Sequence, residues 1–254
     1  MTRIGLTAAS VLLALVLAAC GASDPGQSSE PTAFLAAAPS RTLGEKSART
    51  SYSAPGARAR GDVSFASREA RVSNDGGEHV IYTPTHWYIS RPGKDPITGK
   101  KWLRFERRKD AIHQDDRLRL ILYLAAGATD PSEGDAGEVD DVETTRYEAR
   151  VDVATAVKAV PEADRALARK VLEEELLGQT GRAVFWLDDE GRLRRIRVHV
   201  PPGRTYSRTD PNGDSVSYKS GREGLTSTVE FMEFGVEVDA TPPPPNQVGD
   251  LMSP

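Results

Sequence analysis

Cysteine is nearly absent from this chain of 254 residues, since Cys20 is the single one. One cysteine cannot form an intrachain disulfide, and apart from Cys20 there is no thiol for a metal site or a nucleophile. Aromatic residues are also few, at 6% of the chain. The stability of the folded part must therefore come from a hydrophobic core.

Recognisable catalytic and metal-binding patterns are absent as well. The histidines fit no zinc-binding spacing, and we find no Gly-x-Ser-x-Gly or Ser-x-x-Lys pattern and no glycine-rich nucleotide-binding pattern. A nucleophile, a base and an orienting group cannot be assembled from these motifs. We therefore predict no catalytic residue, no metal, no cofactor and a protein that is not an enzyme. The histidines are His79, His86, His113 and His199.

One segment has the alternating oxygen ligands of a calcium-binding loop. Asp210, Asn212 and Asp214 lie within residues 209–215, but the continuation that supplies a bidentate glutamate is missing. Asp-Pro-Asn-Gly is also a strong turn signature. The preferred interpretation is a turn, and a cation site is the alternative.

Long apolar runs are limited to one near the start of the chain. Residues 4–19 are uncharged and mostly apolar, which is short of the about 20 residues that span a bilayer. A positive charge at Arg3 precedes the run and small residues end it, as in secretory signal peptides. Its end, Leu-Ala-Ala-Cys20, resembles the lipobox of bacterial lipoproteins, in which the cysteine carries diacylglycerol. An ordinary signal peptide with an incidental cysteine is the alternative.

The rest of the chain divides by composition. We predict a signal peptide at 1–19, a flexible Gly/Ser/Pro-rich tether from the lipidated Cys20 to residue 32, a folded domain at 33–240 and a Pro-rich disordered tail at 241–254. The net charge is −4 with both signs interspersed, which argues against a nucleic-acid partner. We expect a monomer, anchored by its lipid to the outer face of the cytoplasmic membrane.

Alternation of apolar and polar residues predicts most of the domain to be β-structure. Residues 144–153 alternate strictly, as a half-buried antiparallel strand does. Residues 182–200 read as a hairpin turning at 188–191, with Gly191 at the position that needs a positive φ. Residues 227–240 alternate with one change of phase, so Gly235 is the expected bulge. Five short strands are predicted upstream, between residues 59 and 106.

Helical spacing of apolar residues predicts two helices, at 110–126 and 162–177. A weaker Ala-rich segment at 33–48 is a third candidate, kinked near Pro39. The acidic segment 129–143 is predicted to be a surface loop. The fold class is therefore α+β: a large curved antiparallel sheet, an unclosed half-barrel, covered on one face by two or three helices.

Such an arrangement leaves room for an apolar cavity between helices and sheet, and small-molecule sites are mostly apolar. A plain hydrophobic core is the alternative explanation for the same residues. The candidate lining residues are Leu118, Ile121, Leu122, Leu172, Leu176, Trp102, Trp186, Phe231 and Phe234.

The order of these features resembles a known family. The best local matches are YTPTHWYISRPGKDPITGKKWLRF at 82–105, the strand at 144–153, and the tryptophan, Asp-Asp-Glu-Gly turn and basic strand at 186–196. They are similar to actinobacterial lipoproteins of the LppX/LprG type, within the LolA/LolB-like fold. The resemblance implies a half-barrel that holds acyl chains of lipids or glycolipids. The alternative on the same fold is a non-enzymatic cell-envelope sensory or protein-interaction module with a protein partner.

Overall fold

The computed structural model describes residues 30–108, 111–176, 178, 180–203, 205–209, 215–219 and 224–250. The predicted signal peptide, the lipobox and almost all of the tether lie outside these residues, as does the predicted turn within 209–215. Four α-helices and fourteen strands are present in the described part.

The helices are short and separated along the chain. A 3-10 helix, Ile121–Gly127, continues directly from α2, and a 3-10 turn, Glu162–Asp164, precedes α4. The two main predicted helices are confirmed, although the first becomes a 3-10 helix halfway. The Ala-rich candidate is also a helix, and Pro39 lies inside it. The α-helices are α1 Glu30–Gly44, α2 Gln114–Leu120, α3 Val153–Ala159 and α4 Arg165–Leu176.

Twelve strands form one sheet and two form a separate hairpin, β11–β12. All pairings in the large sheet are antiparallel except that between β14 and β6. The strands are β1 Ser47–Ala54, β2 Ala57–Ser64, β3 Ala70–Asn74, β4 His79–Tyr82, β5 His86–Ser90, β6 Trp102–Glu106, β7 Ala128–Val139, β8 Val142–Asp152, β9 Thr180–Leu187, β10 Leu193–Val200, β11 Thr205–Thr209, β12 Ser215–Lys219, β13 Leu225–Phe234 and β14 Val248–Asp250.

The strand order is β14-β6-β5-β4-β3-β2-β1-β13-β10-β9-β8-β7. The edge strands of the described sheet, β14 and β7, do not pair with each other, so the sheet is open, as predicted. Its concave side, called the inner face here, carries the helices and the main hydrophobic core. The other side is called the outer face.

Two predictions about loops and tails are wrong. The acidic segment is not a loop, because β7 pairs with β8 along almost its whole length. Pro131 is tolerated there because β7 is an edge strand. At the other edge, residues 248–250 are not disordered: they pair with β6, and Val238, Ala240 and Val248 cover an apolar cluster on the outer face.

The β-bulge predicted at Gly235 lies just before this residue, inside β13. Ala48 pairs with Phe234 while Thr50 pairs with Phe231, so the extra residue lies between the two phenylalanines. Gly235 itself has a φ of 71° and ends the strand. The bulge therefore belongs to Met232 and Glu233 rather than to the glycine.

Candidate functional site

The strongest candidate site is the interface between the helices and the inner face of the sheet. Its centre is the 3-10 helix Ile121–Gly127, which is apolar on every side and is consequently buried on almost every side. Gly127 lets this helix approach α3 closely, since a Cβ there would lie 2.5 Å from the carbonyl oxygen of Asp152 and 2.8 Å from Cβ of Ala156.

The structure brings six of the nine predicted lining residues together in this interface. All six belong to one apolar cluster and are at most 4% exposed. Helices α2 and α4 and the central 3-10 helix supply five of them, and β13 supplies the sixth. The interface is thus filled by the chain's own side chains. The six are Leu118, Ile121, Leu122, Leu172, Leu176 and Phe231.

The structure places both predicted tryptophans elsewhere. Trp102 packs with Ile81 and Tyr88 in the small apolar cluster on the outer face. Trp186 also lies on the outer face, where three guanidinium groups stand over its ring at 5.0–6.0 Å. Neither tryptophan therefore borders the helix–sheet interface, because successive residues of a strand point to opposite faces.

Phe234 occupies the border of the core. Its ring is partly buried against the main cluster and lies under the guanidinium groups of Arg192, at 5.1 Å, and Arg194, at 4.5 Å. The bulge in β13 gives Phe234 a different surrounding from Phe231, which is fully buried. Phe234 therefore borders the interface without lining its centre.

The structure has a group of buried charged residues beside the apolar interface, which the sequence analysis does not predict. The Arg107 guanidinium donates to Asp115 at 2.6 Å and to Asp116 at 2.8 Å, and all three side chains are buried. The second carboxylate oxygen of each aspartate, Oδ1, has no hydrogen-bond partner among the described residues. These charges tie the first turn of α2 to the end of β6.

Two more ion-pair groups join α2 to its neighbours. Arg117 donates to Glu174 at 2.7 Å and to Glu175 at 2.5 Å, which links α2 to α4. Arg119 donates to Asp164 at 2.9 Å, and Arg68 donates to the same carboxylate at 2.6 Å. The helix that carries Leu118 is therefore held on one side by apolar contacts and on the other by buried ion pairs.

Burial, neighbouring charges and hydrogen bonds together shift the pKa values of three groups in and around α2. Desolvation, strengthened by the charge of Asp116, raises the pKa of Asp115 to about 6 even though Arg107 opposes the shift. Desolvation and the charge of Arg107 lower the pKa of His113. For Asp164, desolvation is outweighed by the hydrogen bonds from Arg119 and Arg68, so its pKa is lowered.

Other kinds of site find no support within the described ranges. No group of three or more His, Cys, Asp or Glu side chains is arranged there to hold a metal ion. None of the helices described has both the length and the apolar character to cross a membrane.

Comparison with known proteins gives structural matches only. No protein-family model matches the chain, and no curated protein matches its sequence. The structure of LprF from Mycobacterium bovis matches with a TM-score of 0.51 and 13% identity, covering 84% of this chain and 97% of LprF. This likeness decides the fold. The chain has an LppX/LprG-type fold.

Two further structures are similar to a lesser degree. The lipoprotein LppX from Mycobacterium tuberculosis matches with a TM-score of 0.48 and 13% identity, covering 84% of this chain and all of LppX. A LolA superfamily protein from Nitrosomonas europaea matches with a TM-score of 0.26 and 11% identity, covering 81% of this chain and 93% of that protein.

In this LppX/LprG-type fold, the buried charges were the residues hardest to find from sequence. The segment QDDRLRL of α2 reads as a polar, exposed stretch, yet all six residues after Gln114 are buried, and they include two aspartates and two arginines. The sequence does contain one indication of this burial. Leu118 and Leu120 alternate with Arg117 and Arg119, and a helix with one exposed polar face does not have this pattern. The partners on α4 could not be inferred without the fold.

Proposed function

We propose that this protein is a membrane-anchored, extracytoplasmic lipoprotein that binds or carries the acyl chains of lipids or glycolipids between its sheet and its helices. The observation that carries the proposal is the wholly apolar interface around Ile121–Gly127, roofed by separate short helices on an open sheet. Transfer of an acyl chain from water to such surroundings is favourable by about 25 cal/mol per Å² of apolar surface.

Loading requires the helices to move, because side chains fill the interface. The roof consists of short helices, and the ion pairs of Arg117 with Glu174 and Glu175 join α2 to α4 beside the apolar cluster. Short helices depend on tertiary packing for their stability. An acyl chain that replaces side-chain contacts with its own would leave these ion pairs as the hinge between the two helices.

Anchoring is the second part of the proposal. We infer cleavage of the signal peptide 1–19 and lipidation at Cys20, with residues 20–32 as the tether. From Cys20 to the start of α1 at Glu30 the chain is ten residues long, which spans at most about 35 Å when extended. The domain would stay close to the outer face of the cytoplasmic membrane. Two or more acyl chains are needed for stable anchoring.

Acyl-chain binding is tested by adding a charge at the end of α4. Leu176→Glu places a carboxylate at the border of the interface, and Leu167→Glu places the same charge on the same helix where the side chain is only partly buried. We expect native mass spectrometry and a fluorescent fatty acid to detect binding to the wild type and to Leu167→Glu, and loss of binding in Leu176→Glu. Wild-type protein that takes up no acyl chain would contradict the proposal.

Anchoring is tested separately by metabolic labelling with palmitate in a bacterial host. We expect label on the wild type and none on Cys20→Ser. An unlabelled wild type would refute lipidation without touching the acyl-chain proposal, because the two experiments measure different parts of the chain.

The dense packing of the interface favours a second candidate function, a non-enzymatic cell-envelope sensory or protein-interaction module. A filled core needs no ligand for its stability. For this candidate we expect a stable envelope protein to co-purify with both Leu167→Glu and Leu176→Glu, while no acyl chain binds to either.

A further inference from the structure

One row of basic side chains crosses the outer face at the end of three neighbouring strands. Arg150 of β8 pairs with Arg182 of β9, and Arg182 pairs with His199 of β10. All three are exposed. Side chains directly opposite one another on neighbouring strands have Cβ atoms about 5 Å apart. The two guanidinium groups can therefore reach one small ligand together.

The row borders a pocket of about 490 Å³ at the ends of β8, β9 and β10. The apolar part of its wall comes from Val151, Leu176 and Pro201. Leu176 belongs at the same time to the helix–sheet interface, so this pocket meets the border of the proposed acyl-chain site. Its wall is consequently basic on one side and apolar on the other.

The two arginines of the row take no part in the ion pairs of the outer face that the described residues form. Neither Arg150 nor Arg182 forms an ion pair with any residue in the described ranges, whereas Arg49, on the same face, forms two. The two carboxylates of the pocket wall are Asp130 and Asp152. That of Asp152 accepts a hydrogen bond from the backbone N–H of Thr155, at 2.7 Å, and caps α3.

Like charges directly opposite each other in a sheet are destabilising. Arg150 and Arg182 therefore repel each other in the free protein, and the carboxylates of Asp130 and Asp152 in the pocket wall offset this repulsion without forming an ion pair with either arginine in the described part. An anion between the two guanidinium groups would remove the repulsion. Guanidinium groups bind phosphate oxygens with two parallel, charge-assisted hydrogen bonds each.

We propose that Arg150 and Arg182, with His199 beside them, bind a phosphate group in this pocket. The apolar wall points to a phosphate attached to acyl chains, that is, the headgroup of an acidic lipid. In this lipid form the inference rests on the proposed function. A free phosphate compound shares the recognition chemistry, and the two sources are separated by experiment.

The test uses the full-length chain and a double variant, Arg150→Gln with Arg182→Gln. The matched control is Arg58→Gln with Arg60→Gln, which removes the same charge from two exposed arginines on β2 that form no ion pair in the described part. Glycerol 3-phosphate, titrated calorimetrically, is the soluble probe. Equimolar phosphatidylglycerol and diacylglycerol with identical acyl chains, followed by native mass spectrometry, are the lipid probes, because diacylglycerol lacks the phosphate.

We expect glycerol 3-phosphate to bind the wild type and the control equally, and the double variant at least tenfold more weakly, since charge-assisted hydrogen bonds are lost at both arginines. We also expect a preference for phosphatidylglycerol that disappears in the double variant alone. If glycerol 3-phosphate binds in this pattern but no lipid does, the phosphate site stands and the proposed function fails.

Two results would overturn the site. One is equal uptake of both lipids by the wild type and the double variant, together with no difference in glycerol 3-phosphate binding; the proposed function would then survive alone. The other is a loss of binding of the same size in the control, which would show that general charge, and not this row, attracts the anion.

Discussion

Two neighbouring aromatic residues have opposite surroundings on the two faces of the sheet. Phe185 lies on the inner face, fully buried in the main core, and pairs with Tyr147 on one side and Ile196 on the other. The next residue, Trp186, lies on the outer face between Arg146 and Arg195 in the same two strands. One ring is thus surrounded by hydrocarbon, and the other is covered by guanidinium groups.

The same contrast holds for charges. On the inner side, the ion pairs of Arg117 are buried under helices, so both members have lost most of their hydration. On the outer face, Arg49 pairs with Asp62 and Glu233 while 45% of its side chain remains exposed. Buried ion pairs are costly to break because one charge is left without a partner, whereas exposed pairs are screened by water.

The largest effect on stability is expected when either of these two neighbouring aromatic residues is replaced by alanine. Phe185→Ala removes a fully buried ring and should lower the free energy of unfolding by about 4 kcal/mol, the usual cost of a large cavity. Trp186→Ala loses ring burial and cation–π contacts on a face that water can refill, so about 2 kcal/mol is expected. Urea unfolding followed by circular dichroism measures both.

Equal losses in the two variants would contradict the difference between the faces. Trp186→Phe is the matched control, because it keeps an aromatic ring under the arginines. It should recover most of the stability that Trp186→Ala loses.

The fold was largely predictable because its strands alternate strictly. The strand at 144–153, the hairpin turning at Gly191 and the five short upstream strands are all confirmed. Strand β7 was not predictable in this way. Its register shifts twice against β8, between Thr129 and Ser132 and between Glu133 and Ala136, so no regular alternation is left in its sequence.

The site was predictable only where helical spacing defines a face. The stripe Leu118, Ile121 and Leu122 is in the interface as expected. For the tryptophans, the pattern FWL at 185–187 already puts Phe185 and Trp186 on opposite faces, so only one of them could line an inner cavity. The buried ion pairs could not be foreseen, because Arg117 meets Glu175 across 58 residues of chain.

The next effect is expected from breaking a buried ion pair and an exposed one. Arg117→Ala leaves two carboxylates of α4 without their partner in dry surroundings and should lower the free energy of unfolding by about 3 kcal/mol. Arg49→Ala breaks as many ion pairs on the outer face and should cost far less. Thermal and urea unfolding at low and high salt measure the difference. A salt dependence larger for Arg117→Ala than for Arg49→Ala would contradict the burial argument.

The smallest effect is a pH dependence confined to the inner side. Because the pKa of Asp115 is raised from 3.8 to about 6, the folded protein holds this proton where the unfolded chain has released it. Stability from this group is therefore complete below pH 4 and is lost as the pH rises to 6, by about 2 kcal/mol. Asp115→Asn should remove this fall, so the variant gains on the wild type between pH 4 and 6 in urea unfolding. Asp239→Asn, on the exposed outer side where Thr241 and Arg71 lower the pKa of the carboxyl, should instead be less stable than the wild type by a constant amount above pH 4, and this deficit should disappear only below pH 4. If Asp115→Asn also ran parallel to the wild-type curve between pH 4 and 6, the charge at Asp115 would be as well solvated as one on the outer face.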